Sequence, residues 1–314
     1  MKLNIEKVLA EKNPNLNIGE LLASIPSKHY KVYKIPKRTI GFRLIAQPTP
    51  KIKNIQRSII AELAPLLKIH KSATAYIQGK SILDNARVHR ASNYLLKLDL
   101  ENFFNSITPD IFINSLKNQG IELSAKNSNL LIQLLFWNRS RKRNGNLVLS
   151  VGAPSSPFIS NIIMYDFDKK LYQYCKSIGA SYTRYADDLT FSAKEKSVLQ
   201  RIPNEVKRLL FKEFSNEIRL NNSKTVFSSK AHNRHVTGIT LSNNNKLSLG
   251  RDRKRYISAL VHKFTLSLLD EDDILHLKGL IGLAKFIEPE FIERLESKYG
   301  NSFILNLNRY LIKD

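Results

Sequence analysis

Ser181-Tyr-Thr-Arg-Tyr-Ala-Asp-Asp-Leu-Thr-Phe-Ser192 sets two adjacent carboxylates, Asp187 and Asp188, between two short runs rich in aromatic and β-branched residues. The pattern reads as a hairpin with its acids at the bend. Exposed turns commonly carry aspartate, but both flanks here have the character of buried strand, and a charge at the tip of a buried hairpin needs a partner. A divalent metal ion is the natural one. A third carboxylate comes from Tyr94-Leu-Leu-Lys-Leu-Asp-Leu100, a strand that ends in Asp99, with Glu101 near it and Phe103-Phe104 behind. Asp99, Asp187 and Asp188 together supply what a two-metal phosphoryl-transfer site needs, because two Mg²⁺ ions about 3.5–4 Å apart must be held by anionic oxygens.

The chain has 314 residues with 42% apolar content, enough to bury a large core and to form two or three subdomains. Its 50 Lys plus Arg against 27 Asp plus Glu give a formal charge of +23, with the basic residues spread along the whole length. Such a field suits a polyanion better than a small acidic substrate and exceeds what solubility requires, so nucleic acid is the expected partner. The single cysteine, Cys175, excludes an intramolecular disulfide and a Cys-based zinc site. Residues 1–19 are too polar for a signal peptide and no run long enough to span a bilayer occurs, so a cytoplasmic location without membrane association is expected.

In chain order, residues 1–27 read as a helical lead-in stopped at Pro26. An alternating strand over 30–35, a turn and a second strand over 42–46 make a hairpin whose Lys37, Arg38 and Arg43 either hold phosphate or are simply solvated. Apolar spacing at Ile52, Ile55, Ile59, Ile60, Leu63 and Leu67 predicts a helix over 52–67 packed beneath it. Helices follow over 109–120 and 127–137. The cluster Arg139-Ser-Arg-Lys-Arg143, ending at the turn Asn144-Gly145, either touches a nucleic-acid backbone or is a solvated loop. Gly152-Ala-Pro-Ser-Ser-Pro157 opens an amphipathic helix over about 158–178, with Ser155 or Ser156 as N-cap and Gly179 at its end. A glycine turn at a helix start lets a nucleotide approach the backbone closely. Beyond 238 come strands with a turn at Asn243-Asn-Asn245, then a helix over 251–269. Leu260, Val261, Phe264 and Leu268 fill its core side, which leaves basic residues among Arg251, Arg253, Lys254, Arg255, His262 and Lys263 to face solvent or nucleic acid.

These motifs, in this order, resemble those of a reverse transcriptase and, within that class, of a bacterial retron reverse transcriptase. Tyr185-Ala-Asp-Asp188 is similar to the family's catalytic turn and Leu98-Asp-Leu-Glu-Asn-Phe-Phe104 to its first carboxylate motif. Gly152-Ala-Pro-Ser-Ser-Pro157 resembles the loop beneath the incoming nucleotide, and Asn221-Asn-Ser-Lys-Thr225 the palm motif whose lysine lies near the triphosphate. Asn85-Ala-Arg-Val-His89 and Val236-Thr-Gly238 match two retron signatures. The resemblance covers roughly residues 30–300. It departs at Val151, where the family usually carries Gln, and at Ser150, where Pro is common; the lost amide removes one possible hydrogen bond near the nucleotide sugar.

The resemblance implies an α+β right-hand polymerase. Residues 1–29 would form an N-terminal helical extension, 30–235 the interleaved fingers and palm with an antiparallel sheet backed by helices, and 236–314 a small, mainly helical thumb with the RNA-recognition region. It implies RNA-directed DNA polymerase activity with two Mg²⁺ on Asp99, the Leu100 carbonyl, Asp187 and Asp188, and with Lys224 as a further catalytic residue at the triphosphate. Arg43, Leu100, Phe104, Gly152 and Ala153 would contact the nucleotide, Phe104 as the steric gate. Asn85, His89, Val236, Thr237 and Gly238, with the thumb's Arg251, Arg253, Lys254 and Arg255, would contact RNA. Against this stands a plainer reading in which Asn85 caps a turn, His89 is a satisfied core side chain and Gly238 is a strand bend. The implied partners are dNTPs, a cognate structured noncoding RNA, and the RNA–DNA hybrid or branched multicopy single-stranded DNA (msDNA) primed from a guanosine 2′-hydroxyl. An operon-encoded effector in an anti-phage system and host RNase H complete the set, since the remaining residues leave no room for an RNase H domain.

Three alternatives compete. A two-metal nuclease or nucleotide cyclase does not explain the nucleotide loop, the Lys224 motif and the thumb together. A non-catalytic RNA-binding scaffold would tolerate loss of an acid, and all three are present. Group II intron enzymes usually add maturase or endonuclease regions.

Overall fold

Alternating apolar residues form β1 (Tyr30–Pro36) and β2 (Phe42–Pro48), an antiparallel hairpin with Tyr30 opposite Pro48 and Ile35 opposite Arg43. The computed structural model describes residues 2–37, 41–142, 145–300 and 302–310, so Arg38 at the hairpin tip, and Arg143 and Asn144 of the second basic loop, lie outside the described residues. Tyr30 and Ala46 pack with Trp137, Val148 and Ala153 in a small apolar core of their own. The Ala46 N–H donates to the Val151 carbonyl at 2.9 Å, which ties this hairpin to the glycine loop.

The central sheet begins with β3 (Tyr94–Asp99). After the two-residue pair β4 (Trp137–Asn138) and β5 (Leu147–Val148), the chain returns to it with β6 (Ser181–Tyr185), β7 (Asp188–Ala193) and β8 (Val226–Ser229). The strand order is β6-β7-β3-β8, with every neighbouring pair antiparallel. Side chains alternate between faces. Leu96 and Leu98 of β3 therefore enter the main core, with Tyr182, Leu189 and Phe191 from the hairpin, while Leu95 enters a second core on the other face.

Helices Pro50–Leu63, Pro109–Asn118, Ala125–Leu135, Tyr165–Ser177 and Ile202–Phe214 supply the rest of the main core. The lead-in is two helices, Ile5–Lys12 and Ile18–Ala23, each N-capped by an asparagine side chain, from Asn4 and Asn17. Ile5 and Leu9 are fully buried, and the Asn127 side chain accepts the Ile5 N–H at 2.9 Å, so these residues belong to the core. The helix expected over 158–178 is in fact two, Ser156–Ile163 and Tyr165–Ser177, joined at Met164 with ψ near 0°. The first is apolar on most sides and the second is amphipathic, and no Gly or Pro marks the joint.

The C-terminal part adds the three-stranded β9 (Arg234–Val236), β10 (Ile239–Leu241) and β11 (Leu247–Ser248), followed by helices Arg251–Thr265, Glu271–Ile287, Pro289–Tyr299 and Ser302–Arg309. Their core takes in Leu83 and Ala86 of helix Ile82–His89, which therefore bridges the two halves. Leu260 and Val261 are buried as expected, but the helix stops at Thr265, Ser267 turns left-handed, and Leu268 is left 67% exposed. Among the described residues no helix is long and apolar enough to cross a membrane.

Candidate active site

The hairpin turn is tight: Tyr185 pairs with Asp188, and Ala186 between them takes φ 57°. Register does the rest. Asp188 lies opposite Asp99 across β7 and β3. The Leu100 N–H donates to the Asp187 carbonyl at 3.0 Å, and the Asn221 N–H donates to the Asp99 carbonyl at 2.8 Å. Ladder hydrogen bonds thus gather the three acids, expected from positions nearly ninety residues apart in sequence, at one end of the sheet. The Asn221 bond delivers Lys224, whose ammonium donates to both Asp99 oxygens at 2.9 Å.

Burial, then the charges of Asp187 and Asp99, push the Asp188 carboxyl up to about 6, although Asp188 keeps part of its surface in water. Burial is also the main cause that raises Asp187, with the charge of Asp99 adding to it. The bond to Asp99 raises Lys224. Among the described residues no three His, Cys, Asp or Glu side chains make a ready-made metal cage; Lys224 occupies the Asp99 oxygens instead. The donors themselves are carboxylate oxygens, the hard donors that Mg²⁺ takes.

A pH dependence follows. The folded chain keeps the Asp188 proton between pH 3.8 and about 6, where the unfolded chain has lost it. This group's contribution to stability therefore falls as pH rises through that window, while the negative charge that a metal ion would need appears over the same window. Mn²⁺ binding to the metal-free protein, followed by electron paramagnetic resonance, should be clearly weaker at about pH 5 than at about pH 7.5. Equal affinity at both would contradict the shift.

Beneath the turn lies a buried ionic cluster absent from the sequence expectations. Arg184 and Asp168 are both 0% exposed. The guanidinium grips the carboxylate through Nε at 3.0 and 3.1 Å and through its terminal nitrogen at 2.6 Å, while Tyr182 donates to the same carboxylate at 2.7 Å. Its other terminal nitrogen donates to the Ala186 carbonyl and to the Asn161 side chain, each at 3.1 Å. Asn161 in turn donates to the Ala75 carbonyl at 2.9 Å. The signal was there to be found: Arg184 interrupts a β-run, Asp168 sits on the apolar stripe with Phe167, Leu171 and Cys175, and charges at core positions are retained only when paired.

Of the expected nucleotide contacts, Phe104 is half-buried, its ring centroid 5.6 Å from that of the buried Phe103. Arg43 is exposed on β2, and its charge is felt at both Asp187 and Tyr76. Gly152 takes φ +122°, and a Cβ there would lie 3.0 Å from Ile45 Cγ2 and 3.1 Å from the Ala46 carbonyl oxygen, so only glycine allows β2 so close. The Ala153 methyl is buried in the small core with Tyr30 and Trp137, so this residue can offer a nucleotide only its backbone.

The RNA contacts need correction. Asn85, His89 and Val236 are all 0% exposed, so their side chains do not reach a surface. His89 bonds Thr183 Oγ1 at 2.7 Å and Ser192 Oγ at 2.8 Å, and burial pulls its imidazole down to about 3, which keeps it neutral. Thr183 donates to the Asn85 amide, whose nitrogen donates to Thr237 Oγ1 at 3.5 Å; Thr237 donates to the Ile82 carbonyl. The two signatures are thus halves of one joint between helix Ile82–His89, the β6–β7 hairpin and the β9–β10 turn, where Thr237 and Gly238 take φ 48° and 81°. Asn85 lies within that helix and caps no turn. On the helix Arg251–Thr265, Lys254 is also committed inward, to Glu288 at 2.6 Å, and Arg253 donates to the Gly238 carbonyl at 3.1 Å. Arg251 and Arg255 face solvent.

Residues 35–241 match the family model described as reverse transcriptase (RNA-dependent DNA polymerase). The retron Ec83 reverse transcriptase of Escherichia coli is 58% identical over 310 residues, which is 99% of each chain. The retron Ec73 reverse transcriptase of the same organism is 31% identical over 277 residues and 86% of each chain. A telomerase of Candida tropicalis, solved with a fragment of telomeric RNA, reaches a TM-score of 0.49 at 12% identity over 89% of this chain and 58% of that one, too distant to bear on function. Carboxylates in register on an antiparallel sheet, a family model spanning most of the chain and near full-length identity to a relative all agree: this protein belongs to the reverse transcriptases, among the bacterial retron enzymes.

Proposed function

We propose that the protein reverse-transcribes a cognate structured noncoding RNA, primed from a guanosine 2′-hydroxyl in that RNA, to make branched msDNA within an anti-phage system that includes an effector protein. What carries the polymerase reading is the pairing of Asp99 with Asp188 beside the Asp187 turn. Asp99, the Leu100 carbonyl, Asp187 and Asp188 would hold two Mg²⁺, which lower the pKa of the attacking hydroxyl and offset charge on the phosphoryl group in flight. Asp99 can ligate only if Lys224 releases it, and the freed ammonium, 60% exposed at its side chain, is then available to the leaving pyrophosphate. Lys224→Leu should slow single-turnover incorporation about 10²-fold with nucleotide affinity little changed. An unchanged rate would remove Lys224 from the chemistry.

Arg43 reaches from the fingers toward the triphosphate, and the backbone at Gly152 and Ala153 supports the nucleotide from below. Phe104 is the steric gate and Phe103 a core residue. Phe104→Ala should raise ribonucleotide incorporation, whereas Phe103→Ala should chiefly cost stability, about 3–5 kcal/mol. Equal discrimination in both variants would refute the gate.

Residues 30–235 would act as fingers and palm, 1–29 as their N-terminal helices and 236–314 as thumb and RNA-recognition region. The exposed Arg251 and Arg255 would sit on the template–primer backbone, a contact that gives affinity without sequence identity, so recognition of one RNA rests on its shape. Host RNase H would remove the template. The test starts from the DNA flanking the gene: a noncoding RNA with inverted repeats should, when incubated with the protein, dNTPs and Mg²⁺, yield DNA joined to RNA by a 2′,5′ linkage that debranching enzyme cleaves. Linear product alone would overturn the priming reading.

A further inference from the structure

We propose that Tyr76 determines sugar specificity in the nucleotide pocket, its ring standing with that of Phe104 as a two-ring wall beside the sugar of the incoming triphosphate; this rests on the polymerase reading above. Tyr76 takes φ +60°, a left-handed backbone that an aromatic residue adopts only when its surroundings impose it. Its ring centroid lies 6.5 Å from that of Phe104, at an interplanar angle of 61°, edge to face. Yet the residue stays 53% exposed. A core role would bury the ring, and a plain turn would be met with less strain by glycine. Strain of this kind concentrates at ligand sites.

The surroundings that impose the conformation are those that shape the catalytic turn. Asn161, held by Arg184, donates to the Ala75 carbonyl at 2.9 Å. The Thr74 N–H donates to the Arg184 carbonyl at 2.8 Å, and Lys80 donates to the Ala73 carbonyl at 2.8 Å. One buried cluster therefore sets both Ala186 beside the acids and the backbone that presents Tyr76. Burial first, then the charge of Asp187, raises the Tyr76 phenol. A ribose 2′-hydroxyl pressed against the carbon atoms of two aromatic rings would lose water without gaining a partner, whereas a deoxyribose loses nothing there.

The experiment compares single-turnover kcat/KM for a dNTP and the matching rNTP on one annealed primer and RNA template, for wild type, Tyr76→Ala, Tyr76→Gly and Tyr76→Phe. Discrimination should fall at least about ten-fold in the Ala and Gly variants and stay near wild type in the Phe variant. The Gly variant relieves the left-handed strain, so its Tm should equal or exceed that of wild type, which separates lost discrimination from lost folding. Wild-type discrimination in the folded Gly variant would overturn the proposal, as would a Phe variant as permissive as Ala. If wild type itself extends no primer, the polymerase reading falls and takes this inference with it.

Discussion

Asp187→Asn is expected to reduce primer extension on an RNA template by at least about a thousand-fold while leaving RNA affinity within about two-fold. The first expectation comes from charge: a carboxylate at the metal site supports several kcal/mol of transition-state stabilisation, and each 1.4 kcal/mol is about ten-fold in rate. The second comes from place. On the proposed reading, affinity for the RNA backbone would arise from the +23 field spread over the chain, and one acid fewer would not weaken it. Stability adds a check. Because burial and the charge of Asp99 disfavour ionised Asp187, the neutral amide should leave the metal-free fold at least as stable. Extension assays paired with filter binding and thermal melting separate these effects, and near-normal extension would end the assignment.

Asp168→Ala should cost about 3–5 kcal/mol, because it strands a fully buried guanidinium and orphans the Tyr182 hydroxyl. Replacing both partners, as in Asp168→Leu with Arg184→Met, should recover much of that loss, since the cost lies in the uncompensated charge and not in the missing pair. The double variant should nevertheless extend primers poorly, because Ala186 and Asn161 have both lost their guanidinium donor. Urea denaturation of Asp168→Leu, of Arg184→Met and of the double gives the coupling energy. A cost below about 1 kcal/mol for Asp168→Ala would mean that water reaches the site.

What could be read from sequence was what local alternation encodes. The β6–β7 turn, the end of β3 at Asp99 and the β1–β2 hairpin all announce themselves within short, continuous stretches of chain. Asn85 and His89 did not, because a motif marks membership of a family without saying which way its side chains point. Their burial depends on Thr183 and Ser192, about a hundred residues later, facing them across the sheet. The break at Met164 carries no breaker residue, and Lys254 could not be told from its solvent-facing neighbours until Glu288 was placed opposite it. Tyr76 escaped for a similar reason: its unusual backbone is imposed through Asn161 and Arg184, which lie far away in the chain.

The joint at helix Ile82–His89 bears on how such enzymes can exchange parts. The helix belongs in sequence to the first third of the chain, yet it lends Leu83 and Ala86 to the C-terminal core and closes on Thr237 through Asn85. A C-terminal module moved between relatives by recombination, or grafted by an engineer from residue 236 onward, would leave this half of its socket behind. The inheritable unit is discontinuous, and the two retron signatures mark its edges.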